Sequence, residues 1–224
     1  MLFTVDGFIG LCQTAVGAVH AEKNVRELVA EAISDPGRVM AELPKPEHAG
    51  FEVLHRAPNL TILNFSWAPW MCFKPHNHCM WSVVGIFSGR EDNVFWRRTA
   101  NGLEAAAARS LGVREVTLLG SDIIHSVVNP IGKLTRAIHV YGGDFFQPPL
   151  PRSEWDPETL IERPWDMDDT RRLFDEAESR ADPASSNLAR ELQEEISTGI
   201  CSALHTKSGQ KSDAVVNEDF LVSF

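Results

Sequence analysis

The chain has 224 residues, of which 43% are hydrophobic, 23% charged and 8% aromatic, the make-up of a folded globular protein rather than a disordered or fibrous one. Its net charge of −10 is unevenly placed: residues 1–152 carry 14 acids and 14 bases, residues 153–224 carry 17 and 7. Neither part offers the basic surface that nucleic acid requires, and no apolar run approaches the roughly 18–20 residues of a membrane helix, so neither is an expected partner. Apolar stretches at 8–11 and 15–19 follow Asp6 with no Lys or Arg before them, unlike a secretory leader. Cys12, Cys72, Cys79 and Cys201 form neither a C-x-x-C pair nor a disulfide framework, and the cytoplasm is the expected compartment.

Three regions follow along the chain, expected at 1–50, 51–152 and 153–224. In the first, Val25, Leu28, Val29 and Ile33 recur at helical spacing over 19–33, and Asp35-Pro36-Gly37 stops the pattern before a turn at Pro44-Lys45-Pro46. In the second, short β-favouring runs at 51–56, 60–67, 80–87, 93–98, 113–119, 123–128 and 135–141 are punctuated by Gly, Pro or Asn. Runs so spaced, with no long helix between them, predict a mainly β domain built as an antiparallel sandwich or small barrel. The third region opens on Pro148-Pro149-Leu150-Pro151, which cannot continue a central strand, and reads as helical over 169–180 and 188–204. Its acidic character fits a solvated helix face, and the apolar end at 220–224 fits a docked tail or an oligomer contact, so the chain is expected as a monomer or homodimer.

Four of the eight histidines fall inside the β-rich region in an ordered way. His76 and His78 stand at i and i+2, which on an extended strand sends both imidazoles to one face. His125 and His139 sit inside apolar runs, where a ring nitrogen needs a partner. One buried histidine alone would read as a core residue bonded to a carbonyl. H-x-H with a third histidine 47 residues on, inside an expected barrel, reads instead as a metal-binding set. His20, His48, His55 and His205 lack that context and read as surface or local structure.

The spacing resembles the cupin superfamily, and within it the thiol dioxygenases of the cysteine and 3-mercaptopropionate types. The first cupin motif is H-x-H, then usually Glu, then Gly, and His76, His78, Ser82 and Gly89 fall at those places; the second is matched by His125 and Asn129. The usual Glu ligand is Ser82 here, and loss of that carboxylate is what the thiol dioxygenases show. Their later His-x-Tyr is matched by His139-Val140-Tyr141, and Tyr141 is the single tyrosine of the chain. The likeness spans about 45% of the chain, residues 54–152. Two departures stand out. Ser82 occupies the place of the cysteine that animal cysteine dioxygenases cross-link to tyrosine, and Ala137 stands where the family often has the serine of Ser-x-His-x-Tyr.

The resemblance implies a cupin-type double-stranded β-helix barrel with an N-terminal helix and a helical C-terminal extension. It further implies Fe(II) on His76, His78 and His125, although imidazole donors suit nickel, manganese and zinc as well. Three neutral ligands leave the metal its full charge and open positions for an anionic substrate and O2. The implied reaction adds both oxygen atoms to the sulfur of a small thiol-carboxylate. His139 and Tyr141 would hold the substrate or donate a hydrogen bond within the site, with Ser82 as a further substrate contact. A substrate carboxylate calls for an arginine fork, and Arg56 and Arg152 are the two candidates.

Trp67, Trp70, Met71, Phe73, Trp81 and Phe87 read as barrel core, one or two of them walling a pocket against water. Cys79 reads as core by strand alternation, Asp122 as loop support, and the charged strip 89–98 as a turn with salt-bridged strand edges. Three other readings stay open: a three-histidine cupin oxygenase of another kind (β-diketone-cleaving or biosynthetic), a non-catalytic metal-binding cupin, and a metal-free interaction domain.

Overall fold

A computed structural model describes residues 3–43, 46–100 and 102–181. The second expected C-terminal helix, the apolar end and part of the Pro-rich turn lie outside these residues. The first region forms α1 (Val5–Ala15), α2 (Ala21–Ile33) and α3 (Pro36–Glu42). Strands follow as β1 (Gly50–Ala57), β2 (Leu60–Trp67), β3 (Cys72–Asn77), β4 (Ser82–Ser88), β5 (Arg90–Thr99), β6 (Gly102–Gly112), β7 (Val116–Leu119), β8 (Ile124–Val128), β9 (Thr135–Tyr141), β10 (Ser153–Trp155) and β11 (Glu162–Pro164). The described chain ends in α4 (Met167–Ala181).

The strands form two sheets, ordered β1-β2-β9-β4-β7 and β11-β10-β3-β8-β5-β6, and every recorded pairing is antiparallel. The expectation of a mainly β antiparallel barrel with helices before and after it therefore holds. The sheets face each other: Trp67 of β2 meets Phe73 of β3 with ring centroids 5.8 Å apart. β9 runs through the middle of the first sheet and is buried along its whole length, which takes His139 and Tyr141 into the interior.

The N-terminal helices cover the outer face of the first sheet. Val25, Val29 and Ile33 of α2 are fully buried against Val83, Ile138 and Val140, each worth about 1.5–3 kcal/mol of burial. Gly85 permits that contact, since a Cβ there would stand 2.4 Å from Val29 Cγ1. Asp35-Pro36-Gly37 ends α2 as expected and also starts α3: the Asp35 side chain accepts from the Arg38 N–H, and Pro36 takes the first turn, where its missing donor costs nothing. α1 begins in the same way, with Thr4 accepting from the Gly7 N–H.

β6 was not expected from the sequence. Its alanine-rich stretch favours helix intrinsically, but ten register pairs with β5 decide for strand. At the other edge, β10 and β11 extend the second sheet past residue 152, and α4 then packs back, placing Phe174 and Ala177 in the core with Phe65, Trp67 and Phe73.

Candidate metal centre

The centre is assembled from β3 and β8. His76 and His125 are directly paired in register, and their ring centroids are 4.5 Å apart. A bulge on β3 between Phe73 and His76 adds one residue relative to β8 and accommodates Pro75. Because of it Phe73 also faces inward and meets the His76 ring edge-on at 5.0 Å. His78 follows the last residue of β3, and the chain turns at Cys79, which adopts a positive φ of 54°.

The Nε2 atoms of His76 and His78 are 3.1 Å apart, those of His125 and His78 3.4 Å, and all three histidines are buried. Each opposite nitrogen is already engaged: Nδ1 of His76 by the Lys74 carbonyl at 3.0 Å, of His78 by Ser82 Oγ at 3.2 Å, of His125 by Asn93 Oδ1 at 2.7 Å. An Nδ1–H that donates leaves a lone pair on Nε2. Three lone pairs aimed at one point repel each other, and a cation there removes the conflict. The group thus fits a metal ion, with each ligand atom within 4.8 Å of the others. Electrostatics agree: burial drives His76 and His78 well below the ordinary imidazole pKa and His125 to about 3, so all three are neutral at neutral pH. Neutral imidazole is the ligating form.

Behind the centre lies a chain of buried polar groups. His139 Nδ1 and the Tyr141 hydroxyl are 3.2 Å apart, and the Tyr141 ring meets His78 edge-on at 5.1 Å. On its other side, His139 Nε2 stands 3.8 Å from Glu91 Oε2. Glu91 is fully buried and accepts from Trp67 Nε1 and from Asn93 Nδ2, each at 2.9 Å. Asn93 in turn holds His125. Burial pushes the Glu91 carboxyl up to about 7 against the pull of those two donors, and pushes the Tyr141 hydroxyl up as well.

Arg152 adjoins the same centre. Its guanidinium lies 4.3 Å over the Phe145 ring and 4.5 Å over Trp165, and the Trp165 ring is 5.3 Å from that of His76. It is buried, and among the described residues it forms no ion pair and its Nη1 has no hydrogen-bond partner. Burial lowers its pKa to about 10, which leaves it charged at neutral pH.

Of the residues singled out from sequence, His76, His78, His125, Ser82, His139, Tyr141 and Arg152 are thus brought together, and Arg56 is not. The Arg56 guanidinium is held by both oxygens of Asp144 at 2.9–3.1 Å and lies over Phe146. That pairing occupies the fork a substrate would need. Ser82 stands on the Nδ1 side of His78, where it fixes the ring rather than facing the point on which the Nε2 atoms converge.

The charged strip is corrected more deeply. Arg90 and Asp92 pair at the sheet surface as expected, but Glu91 and Asn93 between and beyond them point into the barrel. Phe95 shares their parity and is buried, and that alternation was the available signal. Cys79 is also corrected: the turn places it half-buried on a cavity of about 470 Å³, with Asp122 on the same rim. Among the pocket candidates, Trp67 and Phe73 face inward, whereas Phe87 packs under the helices.

No family model matches the sequence. Solved structures with a similar arrangement are cupin, double-stranded β-helix proteins. One is a protein with a double-stranded β-helix domain from Klebsiella pneumoniae, 10% identical, covering 50% of this chain and 89% of its own, with a TM-score of 0.38. Another is an RmlC-like cupin from Methanocaldococcus jannaschii, 9% identical, covering 46% and 87%, with a TM-score of 0.39. The DMSP lyase DddQ from Ruegeria pomeroyi is 14% identical and covers 50% and 54%, also with a TM-score of 0.39. The chemistry of this chain rests on its own residues.

Proposed function

We propose that the protein is an iron(II)-dependent dioxygenase that adds O2 to the sulfur of a small thiol-carboxylate. The observation that carries this reading is the pairing of a three-imidazole centre with a buried arginine that has no counter-anion among the described residues. A buried, unpaired guanidinium is costly, and a substrate carboxylate offsets that cost on binding. Phe145 and Trp165 stack on the guanidinium and hold its fork for two parallel hydrogen bonds.

Bound to His76, His78 and His125, iron(II) supplies the redox chemistry that joins a thiolate and O2. Three neutral ligands neutralise none of the metal charge, so the centre favours an anionic partner. The overall conversion is R–S⁻ + O2 → R–SO2⁻: sulfur gives up four electrons, O2 accepts all four, and no external reductant is needed. The residues of the chain bind and shield. Arg152 anchors the carboxylate, Tyr141 offers its hydroxyl beside His78, and Phe73, Phe145 and Trp165 exclude water.

The test is O2 uptake by anaerobically Fe(II)-loaded protein with cysteine, 3-mercaptopropionate and cysteamine, preceded by elemental analysis of the protein as purified. The expected result is thiol-dependent uptake with one sulfinate formed per O2, and preference for the thiols that carry a carboxylate over cysteamine. Metal-loaded protein that consumes no O2 with any thiol overturns the reading.

A further inference from the structure

The relay behind Tyr141 has an unusual end. At the place two residues before His139, where the resembling enzymes often carry a serine, this chain has the fully buried Ala137, which has no hydroxyl to offer. His139 Nε2 is correspondingly buried without a hydrogen-bond partner among the described residues. The polar atom recorded facing it is Glu91 Oε2, at 3.8 Å, beyond hydrogen-bond range but within reach of a small side-chain rotation.

We propose that Glu91 is a positioning residue whose carboxyl sets the tautomer of His139, and thereby the direction in which the Tyr141 hydroxyl points. With Glu91 ionised, the carboxylate draws the His139 proton to Nε2. Nδ1 is then an acceptor, and the Tyr141 O–H donates to it across the 3.2 Å contact. With Glu91 protonated, its O–H donates to Nε2 and the imidazole proton resides on Nδ1. That N–H donates to the Tyr141 oxygen, whose own proton is then released to point toward the metal centre.

The interchange balances with one proton. A proton arriving at the Tyr141 oxygen from the site displaces the Tyr141 proton onto Nδ1, and the proton on Nε2 passes to Glu91. His139 is neutral before and after, and Glu91 has gained one proton. A thiol that binds as thiolate must release a proton, and this chain gives it a buried destination. The proposal rests on the thiol reading for what arrives at Tyr141, but the coupling of Glu91 to His139 stands without it.

The surroundings suit the role. Trp67 from β2 and Asn93 from β5 donate to the carboxylate, Asp92 adds negative charge from the same strand, His139 and Tyr141 face it from β9, and His125 of β8 reaches it through Asn93. Burial brings Glu91 to about 7 and takes His139 to about 3, so near neutrality the carboxyl changes charge while the imidazole does not.

The experiment is nitrogen NMR of metal-free, 15N-histidine-labelled protein across the neutral pH range, with His139 assigned by a His139→Gln comparison. In the wild type, His139 is expected to pass from the Nδ1–H to the Nε2–H tautomer as pH rises, with a midpoint near 7. Glu91→Gln has no proton to exchange and is expected to hold one tautomer throughout. A wild-type His139 that keeps a single tautomer overturns the proposal, and that titration does not require Glu91→Gln to fold. A switch that persists unchanged in Glu91→Gln overturns it too. Failure of the dioxygenase reading would appear in O2 uptake and leave the tautomer result standing.

Discussion

Asn93 Oδ1 and His125 Nδ1 stand 2.7 Å apart, the shortest of the three Nδ1 contacts that hold the rings of His76, His78 and His125. The same amide donates to Glu91, so its orientation is fixed from both ends. An acceptor on Nδ1 sets the tautomer and rotation of a ligating imidazole and raises its basicity. Asn93→Ala is therefore expected to weaken metal binding by about 10–100-fold while the barrel stays folded. Asn93→Asp, which keeps an acceptor at the same reach, is expected to recover most of the loss. Competition against a chelator of known affinity measures both, and unchanged affinity in Asn93→Ala would show that the ring is held by packing alone.

Arg152 allows a sharper test of the substrate than activity alone. A charged hydrogen-bond pair is worth about 1.5–3 kcal/mol, so Arg152→Met is expected to raise KM for a thiol-carboxylate by about 10–100-fold. Cysteamine, with no carboxylate, is expected to show little change in KM. Lysine preserves charge but not the fork or the stacking on Phe145 and Trp165, so Arg152→Lys is expected to fall between. Equal losses for both kinds of thiol would assign Arg152 to structure rather than recognition.

The histidine set was legible because its spacing follows directly from strand geometry: His76 and His78 share a face, and His125 opposes His76 in register. Glu91 was not legible, because charged neighbours on both sides masked the alternation that buries it with Asn93 and Phe95. Arg152 and Arg56 looked equivalent as cations, and only the fold decides that Asp144 neutralises one of them. β6 shows the limit from the other side, since its alanines carry no strand signal and its conformation comes from pairing with β5. Buried polar groups depend on what crosses the barrel to meet them, and a single sequence does not display that.

Lys74 is almost fully buried and meets Glu154 at 2.6 Å as well as Asp169 on α4. Its backbone carbonyl holds His76, so one residue links the candidate metal centre, β10 and α4. Lys74→Met leaves Glu154 buried with, among the described residues, the half-exposed Arg163 at 3.2 Å as its remaining ion partner and the Asp166 N–H donating at 3.4 Å. Stranding a buried carboxylate costs about 3–5 kcal/mol, with Arg163 placing this case at the lower end. Urea unfolding is expected to show that loss, and hydrogen exchange is expected to quicken in α4 before it does in β9. Uniform quickening would mean that α4 is held by Phe174 and Ala177 rather than by the ion pairs.

Glu91 also makes stability depend on pH in a defined direction. Its carboxyl pKa is about 7 in the folded protein against an ordinary value of 4.5, because burial disfavours the charged form. Below pH 4.5 the group is protonated in both states and contributes no pH dependence. Between 4.5 and 7 the unfolded chain releases the proton while the folded one keeps it, so stability falls as pH rises; above 7 both are ionised and the loss is complete. The loss is on the order of 3 kcal/mol, from 1.36 kcal/mol per pKa unit. Glu91→Gln removes this dependence, so the variant is expected to gain on the wild type by about that amount between pH 5 and pH 8. Urea unfolding of both proteins, metal-free, at the two pH values isolates the carboxyl because every other titrating group is shared. Parallel pH profiles would show that Glu91 stays ionised when buried, and the carboxyl would then have no proton to exchange with His139 near neutral pH.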